Sequence, residues 1–130
     1  MNPLVSVVMP VRNGGSHLQT AVTSILSQSL QNLELLLVDD HSTDEAIALL
    51  DRSDPRLQII PSNGRGIVNA CNTGFSRCRG DFIARMDADD ISLDSRLACQ
   101  LDYLKQQPEV GIAGCCVEIF SSDGIKGGLE

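Results

Sequence analysis

A chain of 130 residues with a formal net charge of -7 is the right size for one domain with a substantial core, since about 70% of the unfolded surface is buried at this length. The acidic balance excludes a nucleic-acid or anionic-membrane surface held by bulk electrostatics, so a phosphorylated ligand would need a local device such as a metal ion or a helix N-terminus. No apolar run approaches the roughly 18 residues of a membrane helix, and Met1-Asn2-Pro3 lacks the basic start of a signal peptide.

The elements alternate along the chain. Leu4 to Met9, "LVSVVM", is short, apolar and β-branched, the pattern of a strand buried on both faces. Pro10 to Gly15 forms a loop, and Ser16 is placed to cap a helix whose apolar residues Leu18, Ala21, Val22, Ile25, Leu26 and Leu30 repeat near 3.6. Leu33 to Val38 is a second buried strand ending at Asp39-Asp40. Ser42 and Glu45 have the spacing of a capping box, which predicts a helix through Ile47, Leu49 and Leu50 before Pro55. A third strand, Leu57 to Ile60, leads into the polar loop Pro61 to Gly66. A third helix carries Ile67, Ala70, Cys71, Gly74, Phe75 and Cys78 and stops at Gly80. Asp81 to Met86 is a fourth strand. Ser92 is placed to cap a fourth helix with Leu93, Leu97, Leu101 and Leu104, ending before Pro108. Val110 to Phe120 reads as a fifth strand, and the tail after it has no core pattern. Four β–α pairs in succession predict a mostly parallel sheet with helices on both faces, a Rossmann-like α/β fold. A fifth strand running into a glycine-rich tail suggests an incomplete fold or a chain cut at a boundary.

The chemistry concentrates at strand ends. "DFIARMDADD", Asp81 to Asp90, places Asp87, Asp89 and Asp90 after an apolar strand. Like charges this close repel and lose hydration if buried. Mg²⁺ or Mn²⁺, which takes oxygen ligands and one or two carboxylates together with substrate phosphates, is the natural partner. A solvated acidic turn capping the next helix is the plainer alternative. Asp39-Asp40 follows the second strand, and ligands of open α/β sheets gather at such ends. Asp40 at the sheet rim could accept a nucleobase N–H, or one of the pair could cap the next helix. Asn63-Gly64-Arg65-Gly66 could offer backbone N–H groups and a guanidinium to phosphate or ribose. Asn69 and Asn72, one turn apart, could face the same site or solvent. Arg85 could simply neutralise the cluster. His17 and His41 read as isolated loop histidines. The cysteines Cys71, Cys78, Cys99, Cys115 and Cys116 contain no C-x-x-C. Reduced, mostly buried thiols in a cytoplasmic protein are expected, not a zinc site.

Taken together, "VSVVMPVRNGG", "LLLVDDHSTD", "NACNTG" and "GDFIARMDADD" resemble, in order and spacing, the N-terminal half of family-2 glycosyltransferases of the GT-A fold, above all the bacterial members that build polysaccharide and lipopolysaccharide. The resemblance covers about Val5 to Gln107. It implies residues 1–120 as a nucleotide-sugar (donor) domain and 121–130 as a tail or the start of an acceptor half. The implied activity is inverting transfer of a sugar from a nucleotide-diphospho-sugar, with a UDP-sugar as the commonest donor, to a hydroxyl of a saccharide or lipid-linked acceptor, with Mn²⁺ or Mg²⁺. By the same resemblance Pro10, Val11 and Arg12 flank the base, Asp40 accepts its N–H and Asn69 lines the nucleoside pocket. Asp87 and Asp89 match the D-x-D signature on ribose and metal, with Asp90 a second metal ligand. A cytoplasmic location is implied, with peripheral attachment at the inner membrane face in the full-length protein.

Two departures stand out. Arg12 occupies the place of the Tyr that usually stacks on the base, and a planar guanidinium can also stack. The family's catalytic base lies in the C-terminal half, so it is expected beyond Glu130; Glu118 and Asp123 do not match its context. A non-catalytic nucleotide-binding module is therefore the alternative. A receiver-like signalling domain would want its acidic pair after the first strand, where this chain has Pro10.

Overall fold

The computed structural model describes residues 4–121 and 124–129. Met1 to Pro3, Ser122, Asp123 and Glu130 lie outside the described residues. The elements are β1 (Val5–Val11), a 3-10 turn (Gly15–His17), α1 (Leu18–Leu26), β2 (Leu33–Asp39), β3 (Leu57–Pro61), α2 (Ile67–Arg77), β4 (Phe82–Arg85), α3 (Arg96–Gln106), β5 (Val117–Ser121) and β6 (Gly124–Leu129).

The first four strands form one parallel sheet in the order β3-β2-β1-β4. Side-chain alternation divides its core into two layers. Val5, Val7, Met9 and Val11 of β1 and Leu33, Leu35 and Leu37 of β2 pack with Leu18, Ala21, Val22 and Ile25 of α1 and with Leu97 and Leu101 of α3. On the other face Val8, Leu36 and Val38 meet Ala70 of α2. There α2 approaches closely, because a Cβ on Gly74 would stand 2.4 Å from a Val8 methyl. Helices thus cover both faces, as the β–α alternation requires.

The second face also holds an anchor that apolar patterning missed. Glu34, 2% exposed, accepts hydrogen bonds from the Ser6 hydroxyl at 2.6 Å and the Arg79 N–H at 2.8 Å, and pairs with the Arg79 guanidinium at 2.7 Å. Burial opposes its ionisation, but these donors outweigh that and hold the carboxyl below its usual range.

Several expectations fail for physical reasons. β1 runs to Val11, so Pro10 lies within the strand. Pairing with β4 stops at Val8 while pairing with β2 continues to Val11, which leaves Pro10 facing an unpaired edge that tolerates proline. Ser16 sits in the 3-10 turn, and α1 begins at Leu18 without a side-chain cap. The helix after Ser42 does not form. The Ser42 hydroxyl accepts the Asn13 N–H, while Asn13 Oδ1 accepts the N–H groups of Thr43 and Asp44. These long-range bonds compete with a capping box, and one turn from Glu45 to Leu49 is all that remains. Ser92 does not cap α3, which starts at Arg96. Instead it faces α1, where Ser24 and Gln28 bond it. The fifth strand is only Val117–Ser121 and pairs antiparallel with β6 in a separate two-stranded sheet. No cysteine is buried: Cys71 and Cys78 are partly covered, and Cys99, Cys115 and Cys116 are exposed.

Candidate functional site

Because β1, β2 and β4 are parallel neighbours, their carboxyl ends open at one rim of the sheet. Pro10 to Gly14 and His17 on one side, and Asp87, Ala88 and Asp89 on the other, line an open cleft of about 330 Å³. The structure therefore brings Pro10, Val11, Arg12, Asp87 and Asp89 together. Val11 packs its side chain into the core, whereas Arg12 is exposed. A larger cavity of about 600 Å³, between Ser29 to Asn32 and Ala98, Leu101 and Asp102, lies at the opposite rim. Asn32 accepts the Val5 N–H there, at the start of β1.

The acidic residues after β4 alternate in and out. Met86 and Ala88 are buried in the core, and Ser92 is buried beyond them, while Asp89 and Asp90 are exposed and Asp87 half-buried. One carboxylate oxygen from each of Asp87, Asp89 and Asp90 lies within 4.8 Å of the others. Asp87 pairs with the Arg85 guanidinium at 2.6 Å. Partial loss of hydration, then the charges of Asp87 and Asp89, raise the Asp90 carboxyl above its ordinary range against the pull of Arg85 and Arg96. The set consists of hard oxygen donors with excess negative charge, which suits Mg²⁺ or Mn²⁺.

Asp40, 6% exposed, stands at the end of β2 behind the first loop, its N–H donating to the Val11 carbonyl. Its carboxylate accepts the Gly66 N–H at 2.9 Å and meets His41 Nδ1 at 3.1 Å. The His41 hydrogen bond, followed by the Gly66 N–H against the cost of burial, holds Asp40 below the usual carboxylate range, and Arg12 adds to this. His41 is thus not isolated, and it adopts a left-handed backbone with φ 58°. Asp39 serves locally by accepting the Ser42 N–H.

Most N–H groups of the loop before α2 are engaged within the chain. The N–H groups of Asn63, Gly64 and Gly66 donate to Thr73, Ser62 and Asp40. Asn69 sits at the start of α2 with its amide folded back onto the Arg65 carbonyl at 2.6 Å. It is exposed, as is Asn72, and neither lines the cleft. Asn13 lines the cleft with the rest of the β1 strand end, whereas sequence reasoning passed over Gly14 and His17 as lining residues. That reasoning also missed Gln28, whose only signal is a polar residue one turn beyond the half-buried Ser24 and the buried Ile25.

An open parallel α/β sheet with a polar cleft and an acidic cluster at the carboxyl ends of its strands is the architecture of a ligand-binding doubly wound domain. The model of glycosyl transferase family 2 matches residues 6–129, and the chain belongs to that family. A glycosyltransferase of Haemophilus influenzae is 38% identical over 109 residues, 80% of this chain and 43% of that protein. Chondroitin synthase of Escherichia coli is 36% identical over 107 residues, 80% of this chain and 16% of that protein. Among solved structures, the mannosyltransferase PcManGT of Pyrobaculum calidifontis, in complex with GDP-Man and Mn²⁺, superposes with a TM-score of 0.72 at 26% identity, covering 80% of this chain and 33% of that one. The fold is thus the GT-A type, and the chain spans less than half the length of these relatives. Among the described residues no helix is long and apolar enough to cross a membrane.

Proposed function

We propose that residues 1–120 are the donor half of an inverting glycosyltransferase that binds a nucleotide-diphospho-sugar through a divalent metal. The observation that carries this is the meeting of the first loop, Pro10 to Gly14, with Asp87 and Asp89 across one cleft, beside a third carboxylate, Asp90. A nucleoside diphosphate has an apolar ring at one end and an anion at the other. The cleft offers Pro10, the Val11 backbone and the planar Arg12 group for the ring, and carboxylates that hold the anion only through a cation.

In this assignment Asp40, behind the first loop, reads the base N–H and Asp87 serves the ribose, while Asn69, outside the cleft with its amide on the Arg65 carbonyl, is given no contact. Asp89 and Asp90 hold Mn²⁺ or Mg²⁺. When bound, the metal supplies charge neutralisation for the departing diphosphate. The chain's own residues orient the donor. The acceptor is a saccharide or lipid-linked hydroxyl in cell-surface polysaccharide synthesis at the cytoplasmic side of the membrane. No described residue is assigned as the general base that must reach this hydroxyl. UDP is the expected carrier by family resemblance, and the GDP-Man complex of the mannosyltransferase relative makes GDP its main competitor.

Calorimetric titration with UDP, GDP and dTDP, each with and without Mn²⁺, tests the assignment. Metal-dependent binding of one of them, UDP first, is expected. Binding that ignores the metal, or equal affinity for all three, would remove the donor-site assignment.

A further inference from the structure

The carboxylates ride on an arch from Met86 to Ser92, and the far foot of that arch is held by one buried amide. Gln28, just past the end of α1, is wholly buried. Its Nε2 donates to the Leu93 carbonyl at 2.7 Å, the Ser24 carbonyl at 3.0 Å, the Ser92 hydroxyl at 3.2 Å and the Ser92 carbonyl at 3.4 Å. Its Oε1 accepts the Leu97 N–H at 3.1 Å, at the first turn of α3. Ser24, one turn earlier, accepts the Ser92 N–H at 3.0 Å, and the Ser29 N–H donates to the Asp94 carbonyl at 2.8 Å. Ser92 is thus gripped at its N–H, hydroxyl and carbonyl by α1 and the residues that follow it. Asp90 is two residues away.

The near foot is fixed differently. Met86 donates its N–H to the Val8 carbonyl, and Met86 and Ala88 bury their side chains. Apolar packing sets depth but is weakly directional, whereas a buried amide with both ends engaged fixes position. The exposed carboxylates repel one another, so the arch would spread if its far foot were free.

We infer that Gln28, assisted by Ser24, is a positioning residue for the metal site, holding Asp89 and Asp90 at the spacing a small divalent cation requires. The inference rests on the metal assignment made above. It goes further by naming a residue on another element that sets metal affinity and ion choice without touching ligand. A rigid oxygen set favours the smaller Mn²⁺ or Mg²⁺, while a slack one accommodates the larger and more adaptable Ca²⁺.

The test compares Gln28→Met, which keeps side-chain length and removes the amide, with Ser24→Ala, a milder change, and with Leu101→Ala, which weakens core packing at α3 without altering the clamp. Mn²⁺ and Ca²⁺ affinities are measured by calorimetry in the presence of UDP, at a temperature where each variant is folded. Gln28→Met should weaken Mn²⁺ about tenfold, as for groups that support metal ligands from behind, and should narrow the preference for Mn²⁺ over Ca²⁺. Ser24→Ala should do the same to a smaller degree, and it carries the test if Gln28→Met does not fold. Leu101→Ala should lower stability and leave the ion ratio unchanged. Identical ion ratios in all variants would overturn the inference while leaving the metal site intact. If the wild-type chain bound no Mn²⁺ with UDP, the metal assignment itself would fall. Hydrogen exchange still decides the clamp in that case: faster exchange confined to the amides from Asp87 to Leu97 in Gln28→Met supports it, and unchanged exchange there overturns it.

Discussion

The ends of β2 and β4 carry the same residue type at the same rim of the sheet, yet they use it in opposite ways. At the end of β2 the chain satisfies its own carboxylates: Asp39 takes the Ser42 N–H, and Asp40 takes Gly66 and His41. Asp40 is consequently held below the usual carboxylate range. At the end of β4 three carboxylates crowd together, Arg85 pairs with Asp87, and Asp90 is pushed up by partial loss of hydration and by its neighbours. A carboxylate bonded by its own backbone stabilises the fold, whereas a crowded set is tolerated for what it can bind.

Removing one carboxylate at each end should separate these roles. Asp89→Ala is expected to weaken UDP binding in Mn²⁺ by about a hundredfold, as for loss of a metal ligand's support. Its urea-unfolding stability should stay within about 0.5 kcal/mol of wild type, as for a surface change. Asp40→Ala should differ by also lowering stability. It leaves the Gly66 N–H without its acceptor and should cost about 1–3 kcal/mol, while the weakened nucleotide binding remains Mn²⁺-dependent. Matching stability losses in the two variants would erase the distinction.

Acid sharpens the contrast. Because the folded Asp40 carboxyl lies below its ordinary range, its contribution to stability is complete above that range and is lost as pH falls through the lowered value. Asp40→Asn should therefore flatten the acid-side decline in stability below about pH 4, measured by urea melts at successive pH values. An unchanged slope would mean that Asp40 is not a stabilising anion. The smallest effect should come from His41→Gly. Glycine relieves the left-handed backbone at φ 58°, worth about 1 kcal/mol, and a partly exposed contact to Asp40 worth somewhat less is lost. A net gain of about 0.5 kcal/mol is expected, and a net loss would show that the imidazole contact dominates.

Much of the sheet could be read from alternation. β1 to β4 and the apolar faces of α1, α2 and α3 follow from periodicity, because burial on two faces leaves few ways to place "LVSVVM" or "LELLLV". What local pattern could not supply was the partner of each polar residue. Ser42 and Glu45 spell a capping box, but Asn13, 29 residues away from Ser42, engages the serine hydroxyl first. Ser92 precedes an apolar helical stripe, yet Gln28 and Ser24 draw it to α1 and leave Leu93 74% exposed. Glu34 hides inside a strand that reads as apolar. The cleft was legible where it depends on strand ends, in Arg12, Asp87 and Asp89. It was not legible where it depends on how loops fold back, as at Asn69 and at the amides of Asn63 to Gly66.

In the proposed donor site the arch after β4 binds metal and diphosphate jointly. Electron paramagnetic resonance of free Mn²⁺, titrated with the chain in the presence of UDP or of uridine, tests this directly. Free Mn²⁺ is expected to fall with UDP, to stay nearly unchanged with uridine, and to return to the no-protein level in Asp89→Ala. Equal depletion of Mn²⁺ with UDP and with uridine would contradict joint binding, because the carboxylates would then hold the ion without the diphosphate.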